Sequence, residues 1–241
     1  MVAKNDVMIK ISVCIPTYEM RGEATRVLTR SFDVLKRQTF KDFEVVISDN
    51  SENDVIKNLC ESPEYKSLNI NYFKNPIKGL AQNTNEAIKN AKGEIIKILY
   101  MDDYLADENA LERIKDNFDG YWLVTGCEHD DGAKRYNPHY PRYNKKMYRG
   151  KNTIGAPSVL AIKNESPLFF DENMTWLLDC DYYQRMYDEY GEPTVLNEIN
   201  VVIGTGKHQV TNILSNSAKK KEYHYMVKKY KKGLFYWLKL W

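Results

Sequence analysis

The chain has 241 residues, 43% hydrophobic and 28% charged, an ordinary globular composition that is long enough to bury a full core and excludes a disordered chain. Its 35 Lys and Arg against 33 Asp and Glu give a formal net charge of +2, so it lacks the basic excess of a nucleic-acid binder, and no nucleic-acid partner is expected. Four scattered cysteines (Cys14, Cys60, Cys127, Cys180) form no CxxC pair and read as reduced thiols rather than a disulfide frame or zinc site. No apolar stretch approaches a membrane span and MVAKNDVMIK lacks the apolar block of a signal peptide, so a cytoplasmic location is the expectation.

Lys10 to Ile15 (KISVCI) predicts a buried strand that stops at Pro16. From Glu23 to Gln38 the positions Ala24, Val27, Leu28, Ser31, Phe32 and Leu35 fall at helical spacing. Phe43 to Ser48 (FEVVIS) predicts a second strand, ending in Asp49, Asn50 and Ser51. Val55 to Cys60 predicts a short helix, Asn69 to Phe73 a third strand, and Leu80 to Ala91 a helix that Gly93 ends. Strands alternating with helices imply a parallel sheet, which gathers Pro16–Tyr18, Asp49–Ser51 and Asp102–Asp103 at one edge. Beyond Ala110 the pattern loosens: a strand near Tyr121 to Thr125, an irregular segment to about Gly155, a helix from Asp179 to Tyr190, a strand from Thr194 to Ile203, and a basic, aromatic tail from Lys219 to Trp241.

The most informative stretch is Ile95 to Tyr104 (IIKILYMDDY), an apolar run with the reach of a buried strand that ends in two adjacent aspartates. Carboxylates at the carboxyl edge of a parallel sheet suit Mg²⁺ or Mn²⁺, cations commonly held by one or two carboxylates plus substrate phosphates. The same aspartates would also serve as an acidic first turn of a helix.

VCIPTYE, DFEVVISDNS, NPIKGLAQNTNEAIKNAKGEIIKILYMDD and WLLDCDYYQRM together resemble the inverting family-2 glycosyltransferases with the GT-A fold, over about Lys10 to His208. The resemblance implies an α/β domain over 1–214, with a mostly parallel, helix-flanked sheet, a nucleotide-binding half at about 10–106, an acceptor half at about 107–214, and the tail 215–241 outside it. It implies that Pro16, Thr17 and Tyr18 border nucleobase and ribose, with Glu19 where Asn is commoner, and that Asp49 accepts the imide N–H of a uracil. Lys78, Gly79 and Asn83 would stand on the pyrophosphate side. In the family's Asp-x-Asp motif Tyr100 takes the first place, Met101 the spacer and Asp102 the metal-binding place, with Asp103 as a second ligand or a support. Asp179 would be the general base, with Asp181 its neighbouring alternative, Trp176 a sugar-stacking or core residue, and His208, in the Gly-flanked loop GTGKHQVT, a ligand for metal or diphosphate.

The implied activity is metal-dependent, inverting transfer of a sugar from a nucleotide-diphosphate sugar, a UDP-sugar favoured, to a hydroxyl of a glycan or glycolipid, with Mn²⁺ or Mg²⁺. The rivals are a sugar-phosphate nucleotidyltransferase and a non-catalytic nucleotide- or glycan-binding relative. Lys134 to Arg149 interleaves bases with tyrosines and suits an acidic acceptor, a single strand of nucleic acid or plain solvent. Lys228 to Trp241 suits either peripheral contact with an anionic membrane or a helix packed back on the domain.

Overall fold

The computed structural model describes residues 9–207 and 209–237, with side chains to residue 230. His208 therefore lies outside the described residues, as do the side chains of the last part of the tail. The first half alternates strand and helix: β1 (Ile11–Thr17), α1 (Ala24–Arg37), β2 (Phe43–Asp49), α2 (Val55–Cys60), β3 (Ile70–Lys74), α3 (Leu80–Lys89) and β4 (Ile95–Ile98). Then come β5 (Tyr104–Leu105), α4 (Ala110–Asn117), β6 (Trp122–Asp130), β7 (Arg135–His139), β8 (Leu160–Lys163), α5 (Leu178–Tyr190), β9 (Thr194–Gly204), α6 (Val210–Ile213) and α7 (Asn216–Trp237). The described strands form one sheet in the order β3-β2-β1-β4-β8-β6-β9-β5, with β7 paired to β6.

β3, β2, β1 and β4 are mutually parallel. β1 and β2 are buried at every position, which is why they read as unbroken apolar runs rather than alternating ones. β8 then enters antiparallel to both β4 and β6, so the sheet is mixed rather than wholly parallel. α1 buries Ala24, Val27, Leu28, Ser31, Phe32 and Leu35 as its spacing predicts, together with Val34.

Most strand ends shift by one residue from the sequence reading, and three departures have a clear local reason. β1 does not stop at Pro16 but runs on to Thr17. The Cys14 carbonyl accepts from Leu99 N on the β4 side, and Pro16, two residues on, faces the same way. The β4 pairing has ended by then, at Cys14 with Ile98, so the N–H that proline lacks interrupts no ladder. β4 ends at Ile98, before the apolar part of the Ile95–Tyr104 stretch is used up, because Tyr100 N donates to Ser158 Oγ instead of to a strand. β6 continues past Thr125 to Asp130 and turns into β7, so part of the expected irregular segment is a hairpin.

α7 packs back on the domain. Its buried Glu222 carboxylate accepts from Trp176 N at 2.8 Å and Leu177 N at 3.2 Å, and also from Thr175 N. These N–H groups lead into α5, whose own N-cap residue, Leu177, makes no side-chain cap bond, so an acid from another helix holds the approach to α5 and sets a negative charge at its N-terminus. Lys229 reaches Asp171 at 2.7 Å and Asp181 at 2.6 Å, and Tyr230 donates to Asp181 Oδ1 at 2.9 Å. Replacing Glu222 with Ala should lower unfolding stability by about 1–3 kcal/mol, the cost of leaving buried N–H groups without an acceptor. Urea unfolding would show this as a lower midpoint at unchanged m; Glu222→Gln, which keeps an acceptor oxygen, should lose less.

Candidate functional site

The carboxyl edge of the parallel strands opens into a cavity of ≈ 640 Å³, walled by residues from both halves of the chain. Pro16, Tyr18 and Glu19 come from the end of β1, Asn50 from the end of β2, Lys78, Gly79 and Asn83 from the start of α3, and Tyr100 to Asp103 from the turn after β4. Ala156, Pro157, Thr175, Trp176, Leu178 and Asp179 form the far side, and Ile203, Gly204 and the 209–214 segment complete the wall.

The two aspartates after β4 have different fates. Asp103 is 3% exposed, and both of its oxygens are engaged: Oδ2 accepts from Ser158 Oγ, and Oδ1 accepts from Gly204 N at 2.9 Å. Burial, and then the charge of Asp102, push its carboxyl well above the usual carboxylate range. Asp103 thus lines the cavity with both of its carboxylate oxygens engaged by donors from the surrounding wall. Asp102 stays partly exposed at the cavity wall, and its backbone carbonyl accepts from Arg30 NH2 at 2.8 Å. Gly204 approaches that carbonyl so closely that a Cβ there would lie 2.2 Å from it. Among the described residues no group of three or more His, Cys, Asp and Glu side chains gathers to hold an ion. The partly exposed Asp102 carboxylate, with Asp103 beside it in the same wall, is a donor set that suits a hard cation whose other ligands come from a bound diphosphate and water.

Tyr18 is 43% exposed, and burial of the remainder, then the nearby Asp102 charge, raises its phenol above the usual tyrosine range. Glu19 accepts from Glu52 N, and exposed Lys78 pairs with Glu52 at 3.2 Å. Asn83 is buried: its amide donates to Thr17 O at 3.0 Å, and its oxygen accepts from Ser48 Oγ at 2.7 Å and Asn75 Nδ2 at 3.1 Å, so it ties the strand ends together behind the wall it lines. Met101 is buried in that wall.

Thr17 and Asp49 do not line the cavity. The Asp49 carboxylate is fully buried and accepts from Ser51 N and Oγ, Thr17 Oγ1, Tyr72 OH at 2.8 Å and Lys74 Nζ at 3.1 Å. Burial alone would raise its pKa, but the bonds from Ser51, Tyr72 and Lys74 outweigh it and hold the carboxyl below its usual range. A base N–H would have to displace one of these donors.

Asp179 and Asp181 separate as two positions on a helix must. Asp179 lines the cavity, with Oδ2 accepting from Asn152 Nδ2 at 2.6 Å and Oδ1 from Cys180 N at 2.6 Å. Burial raises its carboxyl to about 6, against the lowering effect of those donors. Asp181 is fully buried away from the cavity, bound by Arg185 at 2.8 Å, Lys229 and Tyr230. Its pairing with two cations makes it a structural anchor for α5 and α7. Trp176 is half-buried in the wall with Lys219 Nζ 5.8 Å from its ring.

Sequence reasoning missed Arg30, Asn152, Ser158 and Glu222, and of the 209–214 wall it had only the part within the loop GTGKHQVT. Asn152 had one local signal, an Asn-x-x-Gly turn in which its own Oδ1 accepts from Ile154 N and Gly155 N.

The family model described as glycosyl transferase family 2 matches residues 12–167. Over 121 residues the chain is 28% identical to the GalNAc(5)-diNAcBac-PP-undecaprenol beta-1,3-glucosyltransferase of Campylobacter jejuni, a stretch that covers 49% of this chain and 38% of that protein. Over 216 residues it is 25% identical to WcaA of Escherichia coli, named as a glycosyl transferase of colanic acid biosynthesis, covering 84% of this chain and 75% of that one. Among solved structures, Staphylococcus aureus TarS in complex with UDP matches with a TM-score of 0.62 at 18% identity, over 82% of this chain and 61% of that chain. GalNAc-T7 with UDP, GalNAc and Mn²⁺ matches with a TM-score of 0.63 at 16% identity, over 93% of this chain and 48% of that chain. The chain thus spans well under half of the Campylobacter protein, while the shared sheet and flanking helices are those of the GT-A fold. With the family match running from β1 through β8, over more than half its length, the chain belongs to glycosyl transferase family 2.

Proposed function

We propose that this chain transfers a sugar from a nucleotide-diphosphate sugar to a hydroxyl of a glycan or glycolipid, with inversion at the anomeric carbon. The observation that carries the reading is that Asp102, at a strand end, and Asp179, with its carboxyl raised to about 6, line one cavity. A donor with a uridine base is favoured, in keeping with the UDP seen in TarS and GalNAc-T7. Its base and ribose would lie against Pro16, Tyr18 and Asn50, backed by Thr17 and Asp49, with the diphosphate between Asp102 and the start of α3.

Asp102 would hold Mn²⁺ or Mg²⁺, and the bound cation supplies charge neutralisation on the departing nucleoside diphosphate. Asp179 accepts the proton of the acceptor hydroxyl. That oxygen forms its bond to the anomeric carbon on the face opposite the diphosphate, whose bond to the same carbon breaks. Asn152 and the Cys180 N–H hold the carboxylate in place, and Trp176 offers an aromatic face to a sugar ring. Polymer and polyprenol-linked acceptors, as in the names of TarS, a poly(ribitol-phosphate) beta-N-acetylglucosaminyltransferase, and of the Campylobacter relative, are the acceptor classes to test first.

A base must be ionised to accept a proton, so transfer should fall about tenfold per pH unit below about 6 and level off above 7. Asp179→Asn should keep UDP affinity while transfer falls on the order of 10²–10⁴-fold. A rate profile that stays flat down to pH 5, or a fully active Asn variant, would remove Asp179 from the role.

The metal is tested separately by calorimetry of UDP binding with Mn²⁺ and with chelator. Wild type should bind tightly only with Mn²⁺, and Asp102→Ala should bind weakly in both. Equal wild-type affinity under the two conditions would overturn the metal assignment. In turnover with a panel of donors, release of nucleoside diphosphate is expected; pyrophosphate would instead mark a nucleotidyltransferase, and binding without release a non-catalytic relative.

A further inference from the structure

Arg30 on α1 stands outside the cavity, yet one guanidinium bonds two segments that form the cavity wall. Its NH2 donates to the Asp102 carbonyl at 2.8 Å, and its NH1 donates to Asp130 Oδ2 at 2.8 Å. The Arg30 Cζ lies 4.1 Å from the Tyr104 ring centroid, and Tyr104 OH donates to the same Asp130 oxygen at 2.8 Å. Asp130 in turn anchors the start of the wall segment: its carbonyl accepts from Thr205 N at 2.8 Å and Thr205 Oγ1 at 3.0 Å. Thr205 follows Gly204, which packs on the Asp102 carbonyl and donates to Asp103, and the chain then runs on to the cavity-lining residues 209–214.

A planar fork that grips two acceptors at once cannot be replaced by a point charge. Arg30 touches neither a bound donor nor the reacting atoms in any arrangement of the cavity described above, so its effect must pass through Asp102 and the 205–214 segment. We propose that Arg30 and Asp130 are a positioning pair that fixes the Asp102 turn and couples it, through Thr205, to the 209–214 wall. The proposal rests on the reading of Asp102 as the carboxylate that holds the cation against the diphosphate. A fixed turn aims that carboxylate. A wall tied to the same guanidinium should tighten when the diphosphate and cation bind and loosen when the pair is broken.

Two conservative variants test it: Arg30→Lys, which keeps the charge but loses the fork, and Asp130→Asn, which keeps the shape and loses the charge. UDP binding is measured with Mn²⁺ and with chelator, and amide hydrogen exchange of 205–214 is followed with and without UDP and Mn²⁺. Each variant should weaken Mn²⁺-dependent UDP affinity by roughly 10-fold, in the range seen when partners that orient a metal ligand are removed. The weak affinity in chelator should stay at the wild-type value, a split that mere loss of stability would not produce. Exchange at 205–214 should slow on ligand addition in wild type and slow less in both variants, and the double variant should be no worse than the weaker single one, because one linkage is being cut.

Wild-type Mn²⁺-dependent affinity in both variants, with unchanged exchange, would overturn the proposal. So would equal losses of affinity in chelator and in Mn²⁺. If wild type itself shows no dependence on Mn²⁺, the Asp102 reading fails, and the linkage is then decided by exchange alone: faster exchange at 205–214 in Arg30→Lys upholds it, and unchanged exchange refutes it.

Discussion

Two adjacent carboxylates in one small cavity wall raise each other's pKa values unless each is given donors, and the site depends on how that conflict is eased. The chain gives each oxygen of Asp103 a donor, Ser158 Oγ and Gly204 N. Ser158 is itself held from two sides, since its hydroxyl accepts from Tyr100 N and its carbonyl accepts from Lys97 Nζ. Lys97 is fully buried, and burial pulls it down to about 7 against the attraction of Asp103. The chain of Lys97, Ser158 and Asp103 therefore joins β4, the Pro157–Val159 turn and β9 through polar groups inside the sheet. Removing any one member strands the others in a low dielectric, where an unmade bond costs more than the bond itself contributes. With Asp103 so engaged, Asp102 stays partly exposed at the cavity wall.

The opposite wall solves a similar problem in another way. Asp179 and Asp181 are two residues apart on α5, and the surroundings drive them to different uses. Asp181 is buried against Arg185, Lys229 and Tyr230, and a buried carboxylate with two cations is costly to disturb, since removing one partner leaves an uncompensated charge. Asp179 bonds only neutral donors and keeps a carboxyl near 6, suited to proton transfer close to neutral pH. The approach to α5 is held by Glu222 on α7, so the geometry of Asp179 is set in part by a helix that reads, in sequence, as an appendage.

The first half of the fold was legible because its physics is local or nearly so. β1 and β2 are buried on both faces, α1 carries its apolar stripe at 3.6-residue spacing, and Asp102 stands out at the end of an apolar run, whereas Asp179 was singled out only through the family resemblance. β7 was not legible: its RYNPH sequence is almost wholly exposed and offers no alternation, with Asn137 at φ +52° and a proline inside the strand. β5 and β8, of two and four residues, are too short to leave a periodic signal. The burial of Asp49 depends on Tyr72 and Lys74, which reach it only once β3 has paired with β2 and set Lys74 beside it. Arg30 and Glu222 act on backbone groups far along the chain, and a side chain that serves a carbonyl or an N–H carries no motif of its own.

Tyr100 makes the departure from the family's Asp-x-Asp pattern intelligible in the same electrostatic terms. It lines the cavity, and burial, followed by the charges of Asp179, Asp103 and Asp102, pushes its phenol far above the ordinary tyrosine range. A carboxylate in its place would face the same three aspartates. Asp103 already shows the strain of a single like-charged neighbour added to burial. Two unit charges 4 Å apart repel by about 4 kcal/mol at an effective dielectric constant of 20, so each further carboxylate in this wall would raise the others' pKa values and weaken the ionised form that a cation or a proton transfer needs. A neutral phenol at position 100 fills the wall without that penalty. It leaves Asp102 and Asp179 facing the cavity from the β4 turn and the start of α5, with both oxygens of Asp103 engaged by donors.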